Sequence, residues 1–198
     1  MTSKPAAPSN RQSSSAIPLV KPQCKIHPSA TVADKAQLIG PHVIEIDEGA
    51  VIHPHAKIKA EYGNIAIGKG TIVSEKAIVG LSEESGEDTT LVVGEGVSIE
   101  SGAIVEARKI GDHATLGINC RVGEGAVLGK WCKIAPLCEV GPNEVLDDYT
   151  VVFGEGRKGR RVDVVVRDRK EVREARLKGT EMERQLLRGI IVDMSLIS

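Results

Sequence analysis

The chain has 198 residues and a formal net charge of −1, with 41% hydrophobic but only 2% aromatic residues. This charge gives no overall attraction to nucleic acid or anionic lipid, and no apolar run approaches the roughly 20 residues that span a bilayer. We therefore predict neither nucleic-acid partners nor direct membrane insertion. The core must be aliphatic and narrow, because large rings are almost absent.

Residues 1–23 are rich in Ser, Pro and Ala, and the first acidic residue is Asp34. An acid-poor opening is compatible with a mitochondrial presequence, but Pro5, Pro8 and Pro18 interrupt any amphipathic helix and Arg11 is the only arginine of the segment. We interpret residues 1–23 as a disordered tail and leave the presequence as the alternative. No continuous apolar segment typical of a signal peptide is present, so we expect a cytosolic protein.

An aliphatic residue then recurs every six positions from Ile26 to Val152. Four steps depart from six, and each follows the third member of a triple: 38 to 46, 58 to 67, 79 to 93 and 105 to 110. Three hexapeptides therefore behave as one turn of a coil. The repeated positions are Ile26, Val32, Leu38, Ile46, Ile52, Ile58, Ile67, Val73, Val79, Val93, Ile99, Val105, Ile110, Leu116, Val122, Leu128, Ile134, Val140, Leu146 and Val152.

The period of six predicts a triangular solenoid. Each side is a short strand at ~3.3 Å per residue, and successive turns stack at ~4.8 Å through backbone hydrogen bonds. The repeated aliphatic residue points inward, while the fifth position of the hexapeptide is small. Cys120, Cys132 and Cys138 occupy this fifth position, so we interpret them as small core residues rather than nucleophiles. Cys120 and Cys138 should stack on neighbouring turns.

This pattern resembles the hexapeptide-repeat family, which implies an all-β solenoid, the left-handed parallel β-helix, of about seven triangular coils over residues 24–156. The resemblance alone supplies the handedness, since the general preference is for right-handed crossovers. It leaves the function open, because the same solenoid is found in acyltransferases, carbonic anhydrases and non-catalytic scaffolds.

Residues 157–198 differ in kind from the solenoid. Arg157, Lys158, Arg160 and Arg161 form a predicted basic turn, followed by a β-branched run from Val162 to Val166. From about Asp168 to Gly189 the apolar period becomes helical. We expect this C-terminal α-helix to pack along one side of the solenoid; docking onto a partner is the alternative. Its apolar stripe comprises Val172, Ala175, Gly179, Met182, Leu186 and Ile190.

A carbonic anhydrase of this fold needs three histidines gathered from adjacent turns and a neighbouring subunit. The chain's five are His27, His42, His53, His55 and His113. The register places His113 between Gly96 and Trp131, His53 between Ala33 and Ser74, and His55 between Lys35 and Lys76, so none stacks on another ligand type. His53 and His55 are the one close pair. We predict no metal and no cofactor, and keep a γ-type carbonic anhydrase as an alternative.

A hexapeptide acyltransferase is the other enzymatic alternative. It needs a catalytic histidine beside a groove that accepts the phosphates of coenzyme A, whereas the longest loop, residues 80–90, is acidic and would repel phosphates. His113 is a candidate base without a carboxylate placed to orient it. We predict no catalytic residues. The candidate partner contacts are the acidic loop and the basic turn: Glu83, Glu84, Glu87, Asp88, Arg157, Lys158, Arg160 and Arg161.

The stretch VIHPHAKIKAEYGNIAIGKG, residues 51–70, is similar to the second and third coils of the dynactin subunit 6 family. Further agreement lies in the acidic loop after the third coil, the five-residue step from Val105 to Ile110, the ending Val151 to Gly154, and a charged C-terminal helix. The resemblance implies a non-enzymatic adaptor subunit of the dynactin pointed-end complex in the cytoplasm and cytoskeleton. It also implies pairing with dynactin subunit 5, contacts to other pointed-end subunits and dynein cargo adaptors, and a role in microtubule-based transport.

Overall fold

The structure is a computed structural model that describes residues 22–81, 89–154 and 159–195. The described residues form six complete triangular coils and two sides of a seventh. By coil, the strands are β1 (Cys24–Ile26), β2 (Thr31–Val32), β3 (Gln37–Ile39); β4 (Ile44–Ile46), β5 (Val51–Ile52), β6 (Lys57–Lys59); β7 (Asn64–Ile67), β8 (Ile72–Val73), β9 (Ile78–Gly80); β10 (Thr90–Val93), β11 (Ser98–Ile99), β12 (Ile104–Val105); β13 (Lys109–Ile110), β14 (Thr115–Leu116), β15 (Arg121–Val122); β16 (Val127–Leu128), β17 (Lys133–Ile134), β18 (Glu139–Val140); β19 (Val145–Leu146) and β20 (Thr150–Phe153).

The first, second and third strands of successive coils stack into three parallel sheets, here called A, B and C. The repeated aliphatic residues are in register: Ile52 pairs with Val32 and Val73, and Val122 pairs with Val105 and Val140. All four irregular steps fall at the corner between sheets C and A. The triangular solenoid predicted from the period of six is confirmed, and so is the left-handed β-helix that the resemblance to the hexapeptide-repeat family implied.

The core is a single aliphatic column along the axis of the solenoid. Ile52, Ile99 and Leu116 are completely buried, and the fifth-position cysteines lie in the same column. Because the strands are two to four residues long, each coil contributes only a few inward side chains, and no large ring is needed to fill the interior. The column is less covered at its first coil, where Val32 and Leu38 are only partly buried.

From the second coil onward, the corners between sheets A and B and between sheets B and C each hold one residue per turn in the left-handed backbone region. At the corner between sheets A and B these residues are Gly49, Gly70, Gly96, His113, Trp131 and Tyr149, with φ between 58° and 66°. The side chains at this corner, where present, therefore stack along the solenoid.

The segment after the solenoid differs from its prediction. Residues 159–162 form strand β21 (Gly159–Val162), which pairs antiparallel with β20, so Arg160 and Arg161 lie on a strand rather than in a turn. The β-branched run is divided between two elements, because Val162 ends β21 and Val164 begins helix α1 (Val164–Asp168), whose N-cap is Asp163. Val166 of α1 is fully buried. Helix α2 (Lys170–Ser195) follows.

Helix α2 runs back along sheet B from the last coils towards the first. Its packed face differs from the predicted one. The predicted stripe is exposed, with Met182, Leu186 and Ile190 at 65%, 68% and 56%, whereas Leu187 and Ile191 pack against Ala33 and Val51. The expectation that the stripe would pack on the solenoid was wrong: the packed face of α2 carries Leu187 and Ile191 together with a charged residue, Arg184, which contacts Gly70.

Candidate functional site

The N-terminal half of sheet B anchors helix α2. Leu187 and Ile191 cover Val51, which points outward from sheet B. One coil further on, Arg184 Nη1 donates a hydrogen bond to the carbonyl oxygen of Gly70 at 3.3 Å and pairs with Glu181. A Cβ atom on Gly70 would collide with this guanidinium, so the glycine allows the helix its close approach.

Towards the C-terminal coils, a groove of about 810 Å³ opens between α2 and the solenoid. Its floor consists of Ser98, Thr115 and Lys133, which are consecutive outward positions of sheet B. One wall is α2. The other wall is the corner between sheets A and B, formed here by Gly96, His113 and Trp131.

The rings of His113 and Trp131 stack at this corner. Their centroids lie 4.6 Å apart and their planes are tilted by 44°. The backbone fixes the pair, because the amides of His113 and Trp131 each donate to a carbonyl one coil below, those of Glu95 and Asp112, at 2.8 Å. Gly96 lies below His113, and a Cβ atom there would come within 2.6 Å of His113 Nδ1. The Gly96–His113–Trp131 order expected from the register is confirmed.

The surroundings of His113 favour the neutral form of its imidazole. Burial lowers the pKa of its imidazole, and this effect outweighs the opposing charges of Asp112 and Glu95. Its Nδ1 atom is buried and has no hydrogen-bond partner among the described residues. A neutral imidazole beside a groove is chemically able to accept a proton.

The neighbouring carboxylate of Asp112 is engaged elsewhere. Its Oδ2 atom lies 2.9 Å from Lys130 Nζ, and its Oδ1 atom accepts a hydrogen bond from the Glu95 amide at 3.2 Å. Burial raises the pKa of Asp112, but these contacts, with the Lys130 hydrogen bond foremost, leave it below its usual value. Asp112 is thus an ionised side chain that stabilises the corner through Lys130 and the Glu95 amide.

The close histidine pair lies at the other end of sheet B. The register places His53 between Ala33 and Ser74, and His55 between Lys35 and Lys76, as expected. Burial lowers the pKa of His53, opposed by Glu75, and its Nε2 atom has no hydrogen-bond partner in the described parts of the chain. Over residues 22–81, 89–154 and 159–195, no group of three His, Cys, Asp or Glu side chains is placed to hold a metal ion.

Dynactin subunit 6 from Xenopus tropicalis is 31% identical to this chain over 137 residues, covering 66% of the chain and 67% of that protein. Dynactin subunit 6 from Nematostella vectensis is 33% identical over 138 residues, covering 66% of the chain and 74% of that protein. This chain belongs to the dynactin subunit 6 family. No family model matches it.

Proteins with other names are also similar to this chain. Carnitine operon protein CaiE from Escherichia coli is 31% identical over 121 residues, covering 61% of the chain and 56% of that protein. A hexapeptide transferase family protein from Anaplasma phagocytophilum superposes with a TM-score of 0.69 at 21% identity, covering 85% of the chain and 92% of that structure. The structural likeness shows the fold alone.

Most of the candidate partner contacts of this dynactin subunit 6 family member lie outside the described residues. These are Glu83, Glu84, Glu87 and Asp88 of the acidic loop, with Arg157 and Lys158 of the basic segment. Residues 1–21 of the predicted tail also lie outside them. Two of the predicted contacts can be placed. Arg160 pairs with Glu144 at 2.8 Å, and the Arg161 guanidinium lies 5.4 Å from the centre of the Phe153 ring.

Arg160 and Arg161 therefore make contacts within the chain and do not join the groove. The residues that do form it, Lys133, Thr180 and Arg184, were not predicted as site residues. The register of the coils predicts the His113–Trp131 pair. The wall formed by α2 depends on the path of that helix along the solenoid, which the spacing of its apolar residues does not determine. No helix in the described segments is long and apolar enough to span a membrane.

Proposed function

We propose that this chain is a non-catalytic subunit of the dynactin pointed-end complex, where it supports dynein-driven microtubule transport and cargo engagement through protein contacts. The observation that carries the proposal is its membership of the dynactin subunit 6 family, at 31% and 33% identity to two members. The proposed site of action is the cytoplasm and its cytoskeleton. The proposed partners are the related β-helix of dynactin subunit 5, other pointed-end subunits and dynein cargo adaptors.

The two ends of the solenoid favour assembly through the first coil. At the last coil, β21 pairs with the edge of β20 in sheet B, β19 and β18 are the last strands of sheets A and C, and Val166 of α1 is buried. At the first coil, β1, β2 and β3 are the outermost strands of the three sheets within residues 22–81, 89–154 and 159–195, and Ile26 is 42% exposed. Unpaired strand edges beside a partly covered core favour association with a second sheet or solenoid.

A non-catalytic role is consistent with the His113 corner. The carboxylate beside this histidine, Asp112, is engaged by Lys130 and by the Glu95 amide, so it is not free to orient the imidazole as a general base.

The enzymatic alternative has one observation in its favour, the buried Nδ1 atom of His113 next to the groove, which has no hydrogen-bond partner among the described residues. An acyltransferase that used His113 as base would lose activity in His113→Asn. Purified protein that transfers an acetyl group from acetyl coenzyme A, with loss in His113→Asn, would replace the proposal.

The direct test is affinity purification of the tagged full chain from native lysate, with identification of the co-purifying proteins. We expect dynactin subunit 5 and other pointed-end subunits in stoichiometric amounts. Purified protein that stays monomeric and recovers no β-helical partner would contradict the proposal, as would stoichiometric zinc bound through His53 or His55.

A variant pair tests the proposed end of assembly. Ile26→Asp introduces a charge at the open first coil, and Val164→Asp introduces the same charge at the opposite end, where Val164 is 50% exposed. We expect Ile26→Asp to reduce recovery of subunit 5 and Val164→Asp to leave it unchanged. Thermal denaturation of both variants identifies any loss that comes from unfolding.

A further inference from the structure

We propose that the groove between α2 and sheet B binds a short extended segment of a partner protein that carries acidic residues and an apolar anchor. This inference rests on the proposed function in taking the occupant to be a protein. The groove is a surface separate from the first coil, where the pairing with subunit 5 is proposed.

The outward face of sheet B changes character where the groove begins. Val51 and Ile72, on the second and third coils, are buried, and Val51 packs under α2. The next three outward positions are Ser98, Thr115 and Lys133. These polar groups line the groove. Its floor therefore offers hydroxyl and ammonium donors and lacks an apolar surface, such as that of Val51, on which the helix could pack.

The lining of the groove is positively charged. Its basic residues outnumber its acidic residues by five to two, the basic residues being Lys69, Lys133, Arg176, Lys178 and Arg184 and the acidic ones Glu95 and Glu181. Three of the five have partners: Lys69 pairs with Glu48, Arg176 with Asp163 and Arg184 with Glu181.

Lys133 and Lys178 have no ion-pair or hydrogen-bond partner among the residues described. Lys133 lies on the floor and Lys178 on the α2 wall, so two free ammonium groups line the groove from different sides. Opposite charges across an interface give both attraction and register. The occupant that this arrangement selects therefore carries carboxylates.

The apolar part of the lining selects a second feature of the occupant. Trp131 lies at one wall, and Leu177 and Met182 lie on the α2 side, where they are 41% and 65% exposed. Tryptophan is enriched among the residues that contribute most to binding at protein interfaces, and it buries a large apolar area. An apolar side chain of the occupant is expected to contact these three residues.

The length of the groove sets the length of the occupant. The lining runs from Lys69 on the third coil to Lys133 on the sixth, which is three stacking steps of ~4.8 Å each, or roughly 14 Å. An extended peptide at ~3.3 Å per residue spans this distance with about four residues. The site thus fits a linear segment and is too short for a docked domain.

Trp131 is the single tryptophan of the chain, so its fluorescence reports directly on the groove. The experiment titrates the full-length protein with a synthetic peptide of sequence EDLEELD and follows Trp131 emission at low and at physiological salt. We expect a saturable change whose midpoint moves to higher peptide concentration as salt is added, because exposed charge contacts are screened. A peptide with lysine at every acidic position is expected to produce no change.

Charge reversal separates the groove from the rest of the surface. Lys133→Glu with Lys178→Glu should weaken binding by about tenfold or more, since each reversal replaces an attraction with a repulsion. Lys57→Glu with Lys109→Glu changes the net charge equally on the faces of sheets C and A and should leave binding unchanged. Equal weakening by both pairs, or no emission change with the acidic peptide, would overturn the proposal.

Two further outcomes complete the test. A peptide in which serine replaces both leucines should bind more weakly than EDLEELD. If it binds equally well, or if a single-stranded RNA of similar charge does, the groove recognises negative charge alone and the assignment to an acidic segment with an apolar anchor is wrong. The Lys133→Glu, Lys178→Glu variant should still recover dynactin subunit 5 from lysate. Loss of peptide binding in this variant, with subunit 5 still recovered, therefore supports the groove as a separate binding site. Failure to recover subunit 5 with the unaltered chain contradicts the proposed function instead.

Discussion

The imidazole of His113 lies 4.6 Å from the indole of Trp131, and both residues hold a left-handed backbone conformation one coil apart. Because burial lowers the pKa of this imidazole, the neutral ring stacks on the indole at neutral pH. Protonation would place a cation against the only tryptophan of the chain.

We predict that Trp131 emission falls as the pH is lowered, with a midpoint below the ordinary histidine value of about 6.5. The same shift affects stability. The unfolded chain takes up a proton near pH 6.5 while the folded chain resists it, so the free energy of unfolding falls as the pH drops below that value. A pH titration of emission, with urea denaturation at pH 7.5 and 5.5, measures both effects.

The matched variants for this prediction are His113→Asn and His27→Asn. Asparagine tolerates the left-handed conformation at position 113, and His27 is exposed. His113→Asn should abolish the change in emission with pH. Its free energy of unfolding should fall less between pH 7.5 and 5.5 than that of the unaltered chain, and the remaining fall comes from His53, whose pKa burial also lowers. An unchanged titration in His113→Asn would show that the stack does not carry the proton.

The register of the coils follows from the sequence, whereas the position of α2 does not. A six-residue period specifies which residues stack, so the neighbours of His113 and His53 follow by counting. The packed face of α2 depends on competition between an apolar stripe and a face that contains Arg184. The second face packs because Gly70 leaves room at the corner for a guanidinium, while Leu187 and Ile191 cover Val51. Helical periodicity alone favours the stripe, which is the face left exposed.

The cysteines provide a second prediction, on reactivity. Of the chain's four, Cys24 is exposed and Cys120, Cys132 and Cys138 are buried. Burial is the main effect that raises the pKa of Cys120 to about 12 and that of Cys132 to about 11, and the thiolate is the reactive form. We expect one thiol to react rapidly with Ellman's reagent in the native protein and all four to react after unfolding in denaturant.

Replacement of Cys24 is the control for this measurement. Cys24→Ser should remove the rapid reaction and leave three thiols that react only on unfolding. Rapid reaction of a second thiol under native conditions would mean that the column containing Cys120 and Cys138 opens locally, which contradicts a continuous packed core.

Two glycine-to-alanine substitutions are predicted to change stability in opposite directions. Gly70 has a φ of 64° and faces the Arg184 guanidinium, so Gly70→Ala should destabilise the fold by about 1–2 kcal/mol from backbone conformation alone and weaken the anchoring of α2. Gly179 lies within α2 with nothing within 4 Å of an added Cβ, so Gly179→Ala should stabilise the protein by up to about 1 kcal/mol. Urea denaturation of the two variants measures the difference.

Limited proteolysis separates the two causes at Gly70. If Arg184 fixes α2 at this corner, Gly70→Ala should accelerate cleavage within α2 more than cleavage within the solenoid. Equal rates at both places would assign the loss of stability to the backbone conformation alone. A Gly70→Ala variant as stable as the unaltered chain would contradict the expected penalty of the left-handed conformation at position 70.

The last prediction concerns Leu137, which has a φ of 60° and is 80% exposed. A leucine in this conformation carries a steric penalty of about 1–2 kcal/mol and gains almost nothing from burial. Asn119 one coil below holds the same corner conformation, and asparagine tolerates it. Leu137→Asn should therefore raise the free energy of unfolding by about 0.5–1 kcal/mol. The control is Leu186→Asn, at an exposed helical position where asparagine lowers stability by a few tenths of a kcal/mol. Urea denaturation should give opposite signs for the two variants, and a loss at position 137 would mean that the exposed leucine side chain contributes contacts that the corner geometry does not reveal.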